Sequence, residues 1–112
     1  MDFNSLEIEA SRYERQLREH RRALHRIPEL DYEEVKTHEY LMRHLEKLAT
    51  DNLRTFAKTG IRAVFRGDGT GRVIAFRSDI DALPIREATG CAFASEHAGK
   101  MHACGHDGHM AN

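Results

Sequence analysis

The stretch Val73-Ile74-Ala75-Phe76-Arg77-Ser78-Asp79-Ile80-Asp81-Ala82-Leu83-Pro84 decides the fold class. Its first four residues form a continuous apolar run, the pattern of a strand covered on both faces. The run then passes directly into charged and polar residues. In α/β proteins the chain is released at such strand ends, and sites form there. Asp79 and Asp81 are two positions apart, so an extended backbone points both carboxylates the same way. Such a pair can bind a metal, orient a histidine or cap a loop.

Upstream, Gly67-Asp68-Gly69-Thr70-Gly71 reads as the turn into this strand. Two segments with period-two patterning precede it, at residues 53–58 and 61–66, and read as strands. Before them lie two helical stripes. Leu6, Ala10, Tyr13, Leu17, Leu24 and Ile27 recur at three- and four-residue steps, with His20 filling the gap. Pro28 ends this helix by biasing Ile27 away from the α region. Asp31 followed by Glu34 predicts the N-cap and capping box of a second helix, carried by Val35, Leu41, Met42, Leu45 and Leu48. The order is two helices, then a β-sheet, then a loop-rich segment: an α/β chain.

With 112 residues there is one compact domain at most. A formal net charge of −1 gives no electrostatic reason to expect nucleic acid or an anionic membrane as partner. The opening MDFNSLEIEASRYER has acidic residues where a signal peptide carries a basic region, and no apolar run approaches membrane-spanning length. The expectation is a cytoplasmic protein whose two cysteines, Cys91 and Cys104, are reduced or metal-bound rather than paired.

Downstream, His102-Ala103-Cys104-Gly105-His106-Asp107-Gly108-His109 packs three histidines, a cysteine and an aspartate into eight positions. An extended backbone presents His102, Cys104 and His106 on one side, and Gly105 permits a sharp bend. Asp107 is placed to cap a helix beginning at Gly108. Thiolate with imidazole suits several divalent transition metals, and softness alone does not choose among them. A closed structural zinc knot is less attractive, because four ligands within eight residues strain a tetrahedron. A Cys104 nucleophile with a histidine base is the metal-free alternative.

Three ordered motifs, "RRALHRIPELDYEE", "RSDIDALPIREATG" and "MHACGHDGH", strongly resemble those of the metal-dependent amidohydrolases of the aminoacylase type. That group includes hippurate hydrolase, indole-acetyl-amino-acid hydrolase and N-acetyldiaminopimelate deacetylase. The resemblance implies the N-terminal part of a zinc-peptidase-like catalytic domain over residues 1–112, with a dimerisation domain and the rest of the catalytic domain absent. It implies hydrolysis of the amide bond of a small-molecule N-acyl amino acid, with one or two divalent ions as cofactor (manganese, zinc, cobalt or nickel). It makes Cys104 and His106 metal ligands and Asp81 a catalytic-site acid that orients a ligand, while His102 and His109 are not ligands. It implies that full-length relatives are homo-oligomeric. The family's general-base glutamate has no counterpart; Glu87 and Glu96 do not match its motif and read as surface loop residues. The expectation is therefore a chain inactive alone. A small non-catalytic metal-binding module and a truncated pseudoenzyme are the other readings.

Overall fold

The computed structural model describes residues 2–112. The elements are α1 (Phe3–Ser11), α2 (Glu14–His25), α3 (Val35–Leu45), β1 (Asn52–Phe56), β2 (Gly60–Val64) and α4 (His106–Ala111).

The single first helix of the sequence reading is two helices. At the end of α1 the amides of Arg12 and Tyr13 turn to the carbonyls of Glu9 and Ala10, a tightened last turn. Helix α2 restarts at once with Leu17 bonded to Tyr13. Helix α1 buries no residue, whereas α2 buries Leu24 and His25. A stripe alone does not hold a helix straight when one half has nothing to pack against. The end of α2 at His25 agrees with the stop predicted from Pro28.

The cap of α3 differs from expectation. Asp31 is exposed, and Glu34 occupies the N-cap position without a side-chain bond to the helix. Glu29 does the work instead. Its carboxylate accepts from the Lys36 amide at 3.1 Å, the Thr37 amide at 2.7 Å and the Thr37 hydroxyl at 2.8 Å. Glu34 turns away to accept from Thr59 Oγ1 at 2.7 Å, pinning α3 to the hairpin tip. His38 Nδ1 donates to the Thr59 carbonyl at 2.8 Å and strengthens that joint.

Strands β1 and β2 pair antiparallel with Thr55 opposite Ile61 and Phe56 opposite Gly60. Both predicted strands exist with slightly different ends. A Cβ on residue 60 would lie 3.0 Å from the Phe56 carbonyl oxygen and 3.1 Å from its ring, so a side chain there would crowd Phe56. The sheet stops at two strands. Val73, Ile74 and Phe76, expected as a buried strand, are 96%, 77% and 97% exposed and belong to no strand. Hydrophobic run length reports a propensity; a strand also needs a neighbouring backbone to bond, and none of the described residues supplies one. The order of helices followed by a sheet survives, with three helices in place of two and a smaller sheet. Among the described residues no helix is long and apolar enough to cross a membrane.

Candidate metal centre

Two backbone joins bring the polar end of the 77–84 stretch to the histidine cluster. Leu83 and Met101 exchange both amide-to-carbonyl bonds at 3.0 Å, an isolated antiparallel bridge. The Ala82 amide donates to the Glu29 carbonyl at 2.7 Å, tying the same segment to the end of α2. Residue 81 is thereby held beside the segment that runs from Met101 into α4.

Helix α4 starts at His106, with Gly105 as its N-cap in the left-handed region at φ 86°. The bend expected at Gly105 is present. His106 Nδ1 donates to Asp81 twice, to the backbone oxygen at 2.9 Å and to Oδ1 at 3.0 Å. That fixes the tautomer with the proton on Nδ1 and leaves Nε2 as a free lone pair. Asp79 Oδ2 lies 3.9 Å from that Nε2, while its other oxygen takes the Arg77 guanidinium. His109 stacks on His106 with ring centroids 5.6 Å apart. Cys104 and Cys91 are both free thiols, Cys104 exposed and Cys91 half-buried.

The structure therefore brings Asp79, Asp81 and His106 together, with Cys104 two residues from His106 on the exposed side of the bend. The residues present fit a divalent ion in one respect: an imidazole oriented by a carboxylate, its outer nitrogen unoccupied beside a second carboxylate. Among the described residues, no group of three or more donor side chains that includes Cys104 or His106 lies within 4.8 Å of one another. His102 is buried, and neither ring nitrogen has a hydrogen-bond partner among the described residues. Burial lowers its pKa, with Asp107 opposing.

Asp107 does not cap a helix at Gly108. It lies inside α4, fully buried, where Oδ2 accepts from His25 Nδ1 at 2.7 Å and from Arg21 Nε at 3.3 Å. Glu87 is likewise not a surface residue: its side chain is 5% exposed and that of His25 4%, with His25 Nε2 at 3.1 Å from Glu87 Oε1. Burial alone would raise the Glu87 pKa; hydrogen bonds from Thr89, Ser95 and His25 overcome it and bring it down to about 2. Glu96 is a surface residue, as expected. The sequence reading missed the His25–Glu87–Asp107 network, although His25, Glu87 and Asp107 each sit inside one of the three motifs.

Comparison with known proteins gives a consistent result. A family described as peptidase family M20/M25/M40 matches residues 75–112. An N-acetyldiaminopimelate deacetylase of Listeria monocytogenes serotype 4a is 50% identical over 92 residues, covering 81% of this chain and 25% of that protein. One of Streptococcus pneumoniae is 53% identical over 94 residues, covering 80% of this chain and 25% of that protein. The crystal structure of the Bacillus subtilis YXEP protein, described as a dinuclear metal binding peptidase from M20 family, superimposes with a TM-score of 0.82 at 45% identity. That match covers 90% of this chain and 28% of the other. A crystal structure from methicillin-resistant Staphylococcus aureus gives a TM-score of 0.88 at 39% identity, over 97% of this chain and 29% of that one. The chain spans about a quarter of the length of the curated relatives it matches.

Proposed function

We propose that this chain, which matches the M20/M25/M40 peptidases over residues 75–112, is part of the catalytic domain of a metal-dependent amidohydrolase. The proposed reaction is hydrolysis of the amide bond of an N-acyl amino acid, giving a carboxylate and an amino acid. The observation that carries it is the double hydrogen bond from His106 Nδ1 to Asp81, which prepares Nε2 as a metal ligand.

Cys104 and His106 are the proposed ligands, and Asp81 is the residue that orients His106. A divalent ion at this place supplies Lewis acidity toward an amide carbonyl and lowers the pKa of water. Zinc, cobalt and nickel suit a mixed thiolate and imidazole set better than manganese, which prefers oxygen ligands. The names of the deacetylase relatives support an acetyl group as the acyl part. We place the protein in the cytoplasm and assign the remaining ligands, the general base and any dimer contact to parts of the enzyme other than residues 1–112. Residues 1–112 alone then bind metal weakly and do not turn over substrate.

The test is direct. Titration calorimetry of the 112-residue chain with manganese and with zinc is expected to show binding from which His106→Ala removes one ion, with no acetate released from N-acetyl amino acids. Binding unaffected by His106→Ala refutes the ligand assignment. Measurable metal-dependent acetate release refutes the division of the site.

A further inference from the structure

Among the described residues, the only three His, Cys, Asp or Glu side chains with donor atoms all within 4.8 Å of one another lie away from Cys104 and His106. They are His25, Glu87 and Cys91. We propose that these three form a second cation site, suited to a zinc-like divalent transition ion through one nitrogen, one oxygen and one sulfur.

The donor geometry carries the inference. Zinc bonds of about 2.0–2.1 Å to nitrogen and oxygen and about 2.3 Å to sulfur span a tetrahedron with edges of roughly 3.3 Å (N to O) and 3.6 Å (O to S). The observed edges are 3.1 Å from His25 Nε2 to Glu87 Oε1 and 3.6 Å from Glu87 Oε1 to Cys91 Sγ. His25 Nδ1 donates to Asp107 at 2.7 Å, so Nε2 is left facing a carboxylate oxygen. Lone pair against lone pair is repulsive, and only a cation between them makes the contact favourable. A proton on Nε2 is one such cation. The Cys91 thiol donates a hydrogen bond to the same oxygen, and loss of the thiol proton turns that convergence into a nitrogen, oxygen and sulfur donor set for a metal ion.

Local structure builds the convergence. In Glu87-Ala88-Thr89-Gly90-Cys91, Gly90 adopts φ 66° and turns the chain so that residues 87 and 91 meet. The Ser95 amide holds Glu87 Oε2 at 2.6 Å, and the Thr89 hydroxyl donates to Oε1 at 2.5 Å, so Oε1 faces His25 and Cys91 with Thr89 beside them. Phe93 stands edge-on to the His25 ring at 5.4 Å and covers it, with Arg21 and Arg22 over the face of Phe93. Asp107 behind His25 forms the carboxylate–histidine pair that raises ligand basicity and fixes ring orientation. Arg21 already neutralises Asp107. A divalent ion with the Glu87 carboxylate and the Cys91 thiolate then leaves the interior uncharged, with the protons of His25 Nε2 and Cys91 released to solvent on binding.

The experiment is a cobalt titration of the reduced chain carrying Cys104→Ser, which leaves Cys91 as the sole thiol. One equivalent of Co²⁺ is expected, with a thiolate-to-cobalt charge-transfer band in the near ultraviolet, displaced by Zn²⁺. Adding Cys91→Ser is expected to abolish the band, and Asp107→Asn to weaken binding by about tenfold or more. Circular dichroism confirms that each variant is folded, and Cys91→Ser in the otherwise unchanged chain provides a second arm if Cys104→Ser is not. In that arm one bound ion fewer is expected. No charge-transfer band in Cys104→Ser, or an unchanged ion count in Cys91→Ser, overturns the proposal in favour of a proton shared by His25 and Glu87.

Discussion

His106 donates a single Nδ1 proton to both the backbone oxygen and the carboxylate of Asp81, 25 positions earlier in the chain. One imidazole orientation satisfies both acceptors, so the ring is fixed before any ligand arrives. Removing the carboxylate leaves only the backbone acceptor. Asp81→Ala is expected to weaken divalent metal binding by about tenfold to hundredfold, measured by titration calorimetry, with the far-ultraviolet dichroism unchanged. Unchanged affinity would show that the backbone bond alone orients the ring.

Gly105 separates Cys104 from His106 in the left-handed region, and a Cβ there meets nothing within 4 Å. The cost of a side chain is therefore backbone strain and not collision. Gly105→Ala is expected to lower stability by about 1 kcal/mol and to weaken metal binding together with it. Denaturant titration and calorimetry on the same variant check both. Gly108→Ala, also free of contacts but within α4, is the matched control and is expected to be neutral or slightly stabilising.

Glu29 is buried and caps α3 through two backbone amides and one hydroxyl. Glu29→Ala orphans the Lys36 and Thr37 amides, leaves the Thr37 hydroxyl only the Ile27 carbonyl at 3.5 Å, and is expected to destabilise the fold by about 2–3 kcal/mol. Asp31→Ala, at the position favoured by sequence reasoning, is expected to change stability by less than about 0.5 kcal/mol. Urea midpoints distinguish the two; comparable losses would contradict the observed cap.

His20 lines a cleft with Leu24, Tyr40 and Leu45 and is hydrogen-bonded to Tyr40 Oη at 2.8 Å. Burial lowers its pKa below 6.5; nearby His44 and Lys47 lower it further, and Glu19 opposes them. The folded state thus resists a proton that the unfolded chain accepts. The contribution is present in full above pH 6.5 and is lost as pH falls through the lowered folded value. Stability is expected to drop as pH falls below about 6.5 toward the lowered folded value, and His20→Gln is expected to reduce that drop. An identical pH dependence in the variant would remove His20 as a source.

The sequence made most elements legible, because each helix and hairpin strand carries its own periodicity. Pro28 marked the end of α2, and the alternating pattern of residues 53–66 marked the hairpin. The failures share a physical cause. Val73, Ile74 and Phe76 have strand composition, but strand formation depends on a partner backbone that composition does not report. Glu34 reads as a cap residue by spacing, yet Thr59 claims its carboxylate from 25 positions away. Spacing alone offered the pairing of His106 with Asp81 as one of several roles for an acid at a strand exit, and the family resemblance singled out Asp81 as orienting a ligand. The burial of Glu87 and Asp107 was hidden for the same reason. Their partner, His25, is more than 60 positions distant, and no local rule predicts which acids a distant histidine will recruit. Their signal was membership in the recognised motifs, where acids and histidines recur without a local structural task.

The His25 network has a consequence for how the chain assembles. Its bonds join residues separated by 62, 82 and 86 positions, whereas the α3-to-hairpin joint closes loops of only 17 to 25. Closing a long loop costs more entropy and is repaid only when its contacts are complete. The helix–hairpin unit is therefore set to form early, and the union of α2 with residues 87–91 and α4 late. A mutation in the His25 network should accelerate unfolding and leave the folding rate nearly unchanged. The region that carries the donor side chains is thus the last to become native and the first to open.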